Sequence, residues 1–352
     1  RPVKTGSATA ATDPGLGYFI WMNGNAPMAI QGDNPMAQLD LQDMRNRIYR
    51  SIGNASVNYK VHGFEDLQLN MNLGYDILES KYAKDVPDFA GMMYTGNKKD
   101  GTGLDYDSKH KKRNTLLDLY ANYQHTFAGK HDVSAMAGYG WQHFWKKFND
   151  TTLSPEGEEL FSPKHSESEY YLLSMYGRLN YGFASKYMVT ATLRADASSR
   201  FAKGNRWGYF PSVALGWKLS EEKFLKNSKV LTNLKLRLSY GLTGQQDIIN
   251  DYPYMTTFSV SYPESSYLFG DKWHNTYRPN GYDRDIKWET TETWNAGFDY
   301  GFLNNRIYGS LDVYKRHTKD LLNTIPVISG VNYSAVLTTN IGEMDNKGVE
   351  FS

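Results

Sequence analysis

From Leu67 to Ile77 the chain reads Leu-Gln-Leu-Asn-Met-Asn-Leu-Gly-Tyr-Asp-Ile, with apolar side chains at every odd position and polar or small ones at every even position. A period of two sends alternate side chains to opposite faces, so the segment predicts a β-strand that is apolar on one side and polar on the other. The pattern returns in Leu117, Leu119, Ala121 and Tyr123, where Tyr120 is an aromatic exception on the polar side. It returns again in Val133 to Trp141, Val189 to Ala195, Leu234 to Leu242 and Trp294 to Tyr300. Roughly ten complete strands are expected. Their length is commonly about twelve residues or more, against about five or six in soluble domains and about nine to eleven for a tilted strand that crosses a membrane. The opposite faces carry Lys235, Arg237 and Ser239, or Thr192, Arg194 and Asp196, which suit water and not a dry core.

The connections sharpen this. Short turns are expected near 63–65, 128–131, 184–186, 220–229 and 302–304, and longer segments near 81–112, 151–168, 199–207, 244–286 and 319–343. In a meander of antiparallel strands, strict alternation puts all short turns at one end and all long loops at the other, the asymmetry of outer-membrane barrels. Ser220 is a candidate N-cap for one helical turn within 220–229. Residues before 45, including Asn34-Pro35-Met36, lack strand periodicity over most of their length and are expected to be an outer loop region leading into the barrel, with 45–352 a partial barrel. The start at Arg1-Pro2-Val3 and the finish inside a strand at Gly348-Val349-Glu350-Phe351-Ser352 read as an internal piece, truncated at both ends.

Composition narrows the function classes. With 39 Lys plus Arg against 38 Asp plus Glu, no charge excess draws the chain to nucleic acid. The absence of cysteine removes disulfides, thiolate zinc sites and a cysteine nucleophile. A mean hydropathy of -0.60 and the lack of any long apolar run exclude helical membrane spans. They do not exclude a barrel, in which half of each strand faces a wet lumen.

Chemical motifs are sparse. The eight histidines show no H-E-x-x-H and no close pair with ligand spacing, so neither metal nor cofactor is expected. Gly101-Thr102-Gly103 lacks the third glycine of a dinucleotide loop, and Glu156-Gly157-Glu158-Glu159 reads as solvated loop charge. No catalytic residue is expected, and the chain is read as a non-enzyme. Tyr59, Tyr75, Tyr139, Trp141, Trp217, Tyr240, Trp294 and Tyr300 suit aromatic girdles at the membrane boundaries. In the 244–286 loop, aromatics interleave with Asp, Asn and His, a surface that can stack on sugar rings or grip peptides. Tyr262, Tyr267, Trp273 and Tyr277 are the candidate substrate-binding residues.

The run Arg194-Ala195-Asp196-Ala197-Ser198-Ser199-Arg200-Phe201, followed by Asn205-Arg206-Trp207-Gly208-Tyr209-Phe210-Pro211-Ser212 and Gly216-Trp217, resembles SusC/RagA-type TonB-dependent outer-membrane transporters of the Bacteroidetes. Ser239-Tyr240-Gly241-Leu242-Thr243-Gly244, Trp288-Glu289-Thr290-Thr291 and Asn340-Ile341-Gly342 leading to Asn346-Lys347-Gly348-Val349-Glu350 resemble the same family, as does Asn54-Ala55-Ser56 through Asn72-Leu73-Gly74-Tyr75-Asp76. Gln245 stands where that family commonly has Asn. The resemblance implies an all-β, antiparallel up-and-down transmembrane barrel, of which this chain holds about half of about 22 strands. It further implies import of oligosaccharide or oligopeptide through the outer membrane, a SusD-like surface lipoprotein as partner, and TonB acting through an N-terminal plug region outside this chain. The alternative from another class is a soluble all-β glycan-binding module or adhesin, and a β-rich glycoside hydrolase would need a facing carboxylate pair that the sequence does not single out.

Overall fold

Eleven long strands make one antiparallel sheet in the computed structural model, which describes residues 18–19, 22–23, 26–27, 34–88, 90–93, 102–228, 230–248, 250–261, 263–328 and 334–352. They are β1 (Asp43–Lys60), β2 (Leu67–Val86), β3 (Leu104–Phe127), β4 (His131–Leu153), β5 (Glu159–Phe183), β6 (Tyr187–Ser198), β7 (Trp207–Lys218), β8 (Leu231–Gln245), β9 (Glu289–Phe302), β10 (Ile307–Lys319) and β11 (Met344–Phe351). Each is hydrogen-bonded to its neighbours in chain order, an up-and-down meander whose order is open at β1 and β11.

By internal contacts the chain divides into two units, Arg1–Gly53 with Tyr75–Thr115 and Phe144–Glu169, and Asn54–Gly74 with Leu116–His143 and Tyr170–Ser352. In the first unit a short helix, Pro35–Leu41, starts where Asn34 accepts hydrogen bonds from the Met36 and Ala37 amides (3.0 and 3.5 Å) and Pro35 supplies the fixed φ of a first helical position. Charged side chains dominate its strand segments: Glu79 lies 3.2–3.3 Å from Lys81, Lys109 and Lys111, Arg45 bridges Asp43 and Asp85, and Glu167 takes hydrogen bonds from Lys147 and the Trp145 indole.

In the second unit the short turns form one rim. Backbone hydrogen bonds run from the Gln124 amide to Asp66, Ala184 to Lys130, Lys218 to Lys186 and Leu303 to Val230, each joining a turn to the end of a neighbouring strand or to the next turn. The Phe127–Lys130 and Phe183–Lys186 hairpins close over two residues with positive φ (Ala128 and Gly129; Ala184 and Ser185), the turn whose twist matches that of the strands. The 219–230 connection departs from expectation. Its 3-10 turn spans Leu219–Glu221 with Lys218 in the cap position, two residues earlier than an N-cap at Ser220 predicts, and Ser220 does not cap it.

The register fixes both faces. One row runs Tyr187, Trp217, Leu236, Phe298, Leu311, Phe351, and the next Val189, Leu215, Leu238, Ala296, Val313, Val349. Most of these apolar side chains are exposed, among them Leu215, Leu238, Phe298, Val313 and Val349. Leu69 and Leu73 of β2 are likewise 44% exposed. A soluble sandwich would bury such rows against a second sheet; among the described residues none covers them. The packed apolar cluster lies elsewhere, in Phe201, Phe210, Ile286 and Trp288 beneath the long loops.

Aromatics border the apolar rows. Along β7 from Trp217 to Trp207, and along β9 from Phe302 to Trp294, the two borders are eight to ten residues apart, about 26–33 Å along a strand. Tilted strands reduce that toward the apolar band of about 25 Å. Tyr139 and Trp141 sit mid-strand and not near a strand end, because β4 runs 23 residues and continues past the border. The 151–168 segment likewise differs from expectation: β4 reaches Leu153, β5 begins at Glu159, and only residues 154–158 connect them.

Candidate functional site: a polar wall and the loops above it

The face opposite the apolar rows is built from charge and hydroxyl groups. On β8, Arg237 reaches Asp299 of β9 and Asp312 of β10 at 2.9 and 2.8 Å, closing a three-strand ion network. On β6, Arg194 pairs with Asp196 at 2.8 Å, donates to Ser174 at 2.7 Å and lies over the Tyr176 ring. Tyr176 donates to Asp118 at 2.6 Å, and Thr190 to Asn180 at 2.9 Å. Thr192, Ser212, Ser239 and Thr243 line a concavity beside Arg194. Alternation alone put these groups on one face, and their partners now tie the strands together while keeping the surface wet.

The long loops are anchored by the residues that carried the family resemblance. Arg200 is buried, with Asp251 at 3.0 Å and Asp247 at 2.9 Å, and its guanidinium lies 3.8 Å from the Tyr170 ring centroid. The Trp288 indole donates to the Arg206 carbonyl at 2.8 Å, and Trp288 packs on Phe201 and Phe210. Gly244 is forced by this packing, since a Cβ there would stand 2.0 Å from the Phe210 ring. Asn340 accepts from the Lys287 amide and donates to the carbonyls of Lys287 and Asp320. These residues stand in the sequence as a family signature; the structure shows their work, which is to tie 199–206 to Asp247, Asp251, Asp285 and Trp288, and Lys287 to Asp320 and Asn340. The cue was present as Arg, Phe and Trp in loops otherwise polar.

Of the loop aromatics, Tyr262 lies outside the described residues. Tyr267, Trp273 and Tyr277 are all exposed. Strands Tyr267–Phe269 and Lys272–His274 form a hairpin that pairs Tyr267 with His274 and Leu268 with Trp273. Tyr267 and Trp273 therefore occupy opposite faces of the hairpin, and Tyr267 shares its face with His274 and Phe269, ring centroids 5.9 and 6.1 Å from the histidine. Tyr277 pairs with Val260 across a second ribbon, Phe258–Val260 with Tyr277–Pro279. Phe258 and Phe269 are equally exposed. Among the described residues no group of three or more His, Asp or Glu side chains is placed to hold a metal.

A family model described as TonB dependent receptor-like, beta-barrel, matches residues 4–352. The chain belongs to this family. The receptor is 39% identical over 354 residues to the TonB-dependent receptor SusC of Bacteroides thetaiotaomicron, covering 98% of this chain and 34% of that protein. It is 30% identical over 338 residues to the TonB-dependent receptor P39 of Formosa agariphila, covering 91% of this chain and 30% of that one. The solved RagAB peptide transporter shares the fold, with a TM-score of 0.76 at 23% identity over 88% of this chain and 34% of its own. The chain thus spans about a third of the length of the relatives it matches. The family is one of outer-membrane receptor barrels and not of enzymes, and this chain lies in the barrel. The exposed apolar rows suit the lipid-facing side of such a barrel, and the soluble-module reading is set aside.

Proposed function

We propose that the receptor imports oligomeric nutrients, an oligosaccharide or an oligopeptide, in concert with a SusD-like surface lipoprotein and with TonB acting through an N-terminal plug region. The observation that carries this is the pairing of a hydrated, ion-paired wall with anchored outer loops that display large exposed rings. A solute too large to diffuse needs a wet path and a grip at its mouth. Exposed Tyr267, Trp273 and Tyr277 supply the grip, with Tyr262 in the same loop, since ring faces stack on sugar rings and on peptide side chains alike. Similarity to a TonB-dependent receptor supports uptake across the outer membrane, and the structural neighbour described as a peptide transporter keeps the peptide class in play.

Calorimetric titration of the intact receptor with defined oligosaccharide and oligopeptide ladders tests the reading. Binding of one class is expected, weakened about tenfold by Trp273→Ala or Tyr267→Ala, as for removal of a stacking ring worth about 1 kcal/mol or more. Binding of neither class, or full affinity in both variants, contradicts it.

A further inference from the structure

Toward the loop ends of β8 to β11 the apolar face gives way to charge. Above the rows ending in Phe351 and Val349, the register sets Tyr240, Trp294, Lys315 and Lys347 side by side across β8, β9, β10 and β11. Residues directly opposite on antiparallel strands share a face, so two lysines adjoin at the outer limit of the apolar rows, level with the aromatic border at Trp294. Both are exposed, and no carboxylate of the described residues pairs with either. The acidic groups in the next row outward are engaged. Glu292 accepts from the Trp294 indole at 2.9 Å, and His317 lies 3.0 Å from Asp345 and 3.8 Å from Glu343.

Below the lysines a groove of about 590 Å³ opens between Leu238, Tyr240, Trp294, Ala296 and Val313, a size typical of ligand sites. The Tyr240 and Trp294 rings, 4.4 Å apart, wall it. Like charges directly opposite destabilise a strand pair, so the two ammonium groups call for an anion between them. Their apolar stems lie along the surface with the charge at headgroup level.

We propose that this groove binds one anionic lipid of the outer leaflet, with an acyl chain between Leu238, Ala296 and Val313 and the headgroup phosphate between Lys315 and Lys347. The positive pair selects a net negative headgroup over a zwitterionic one. The apolar groove, open to the bilayer, selects a lipid over a free phosphate ion. The site stands apart from the solute path and holds whichever solute is carried.

Native mass spectrometry of the intact, delipidated receptor tests it, using phosphatidic acid, phosphatidylcholine with the same acyl chains, or inorganic phosphate. One phosphatidic acid should be retained in preference to phosphatidylcholine, and inorganic phosphate should neither bind nor compete. The double variant Lys315→Gln, Lys347→Gln should weaken retention by about tenfold or more. Ala296→Trp, which fills the groove and leaves both lysines, should abolish it, while Lys223→Gln on the opposite rim should match the wild type. Should the double variant fail to assemble, Lys347→Gln alone and Ala296→Trp give the same reading. Equal retention of phosphatidylcholine, displacement by inorganic phosphate, or unchanged retention in the groove and lysine variants overturns the proposal.

Discussion

Single residues decide where the loops are held. Arg200 and Asp251 are a buried ion pair, with side chains only 5% and 3% exposed. Such a pair need not stabilise more than an apolar one, but losing one partner strands a buried charge at about 3–5 kcal/mol. Arg200 keeps the exposed Asp247 at 2.9 Å when Asp251 is lost but gains a second unpartnered nitrogen beside Nε, so Asp251→Ala should loosen the loop around Asp251 by less than that, about 1–3 kcal/mol, seen as faster proteolysis there with barrel assembly retained. At the other rim, Glu222 accepts from the Tyr187 hydroxyl at 2.6 Å and the Trp217 indole at 3.1 Å, with Lys186 at 3.6 Å. The Tyr187 hydroxyl first, then the indole and the ammonium, hold its carboxyl below the usual 4.5. A folded-state pKa lower than the unfolded one gives stability that is complete above about 4.5 and is lost as pH falls through the depressed value. Hydrogen exchange across 219–230 should therefore accelerate on acidification below that point in the wild type, and Glu222→Gln should flatten the acid response.

At the scale of elements, what was legible in the sequence was the membrane-crossing stretch of each strand. Leu67 to Ile77 announced itself because lipid on one side and water on the other impose a hydropathy period. The outer halves were silent for the same reason. Residues 159–168 of β5 have polar groups on both faces (Lys164, Ser166, Glu167) and no apolar alternation, so a strand wetted on both sides read as loop. The loop hairpins were hidden too, since three-residue strands give no period, and the faces of Tyr267 and Trp273 depend on a register that only the structure shows. Leu73→Arg, inside the apolar stretch of β2, or Leu238→Arg, at the centre of β8, should impair assembly by about 2–4 kcal/mol, the cost of a charge on the lipid face near mid-bilayer, read as lost heat-modifiable gel mobility. Ser166→Arg in the wetted half should stay within about 0.5 kcal/mol of wild type, and equal sensitivity at both places would contradict the division.

For the whole molecule, one sheet with an exposed apolar face and an ion-paired polar face fits a wall between lipid and water, and the family supplies the membrane. The resemblance was legible because the residues that clamp the loops, Arg200, Phe201, Trp288 and Asn340, are distinctive types at fixed places; the solute was not, because the exposed rings that meet it accept more than one chemistry. The most direct test of the wall is a spin-label scan along β8 of the intact receptor in lipid, one position at a time from 234 to 242. Labels at Leu234, Leu236, Leu238 and Tyr240 should be reached by oxygen dissolved in the bilayer, and labels at Lys235, Arg237, Ser239 and Gly241 by a water-soluble relaxation agent. Accessibility without a period of two, or with the two faces exchanged, would contradict the account.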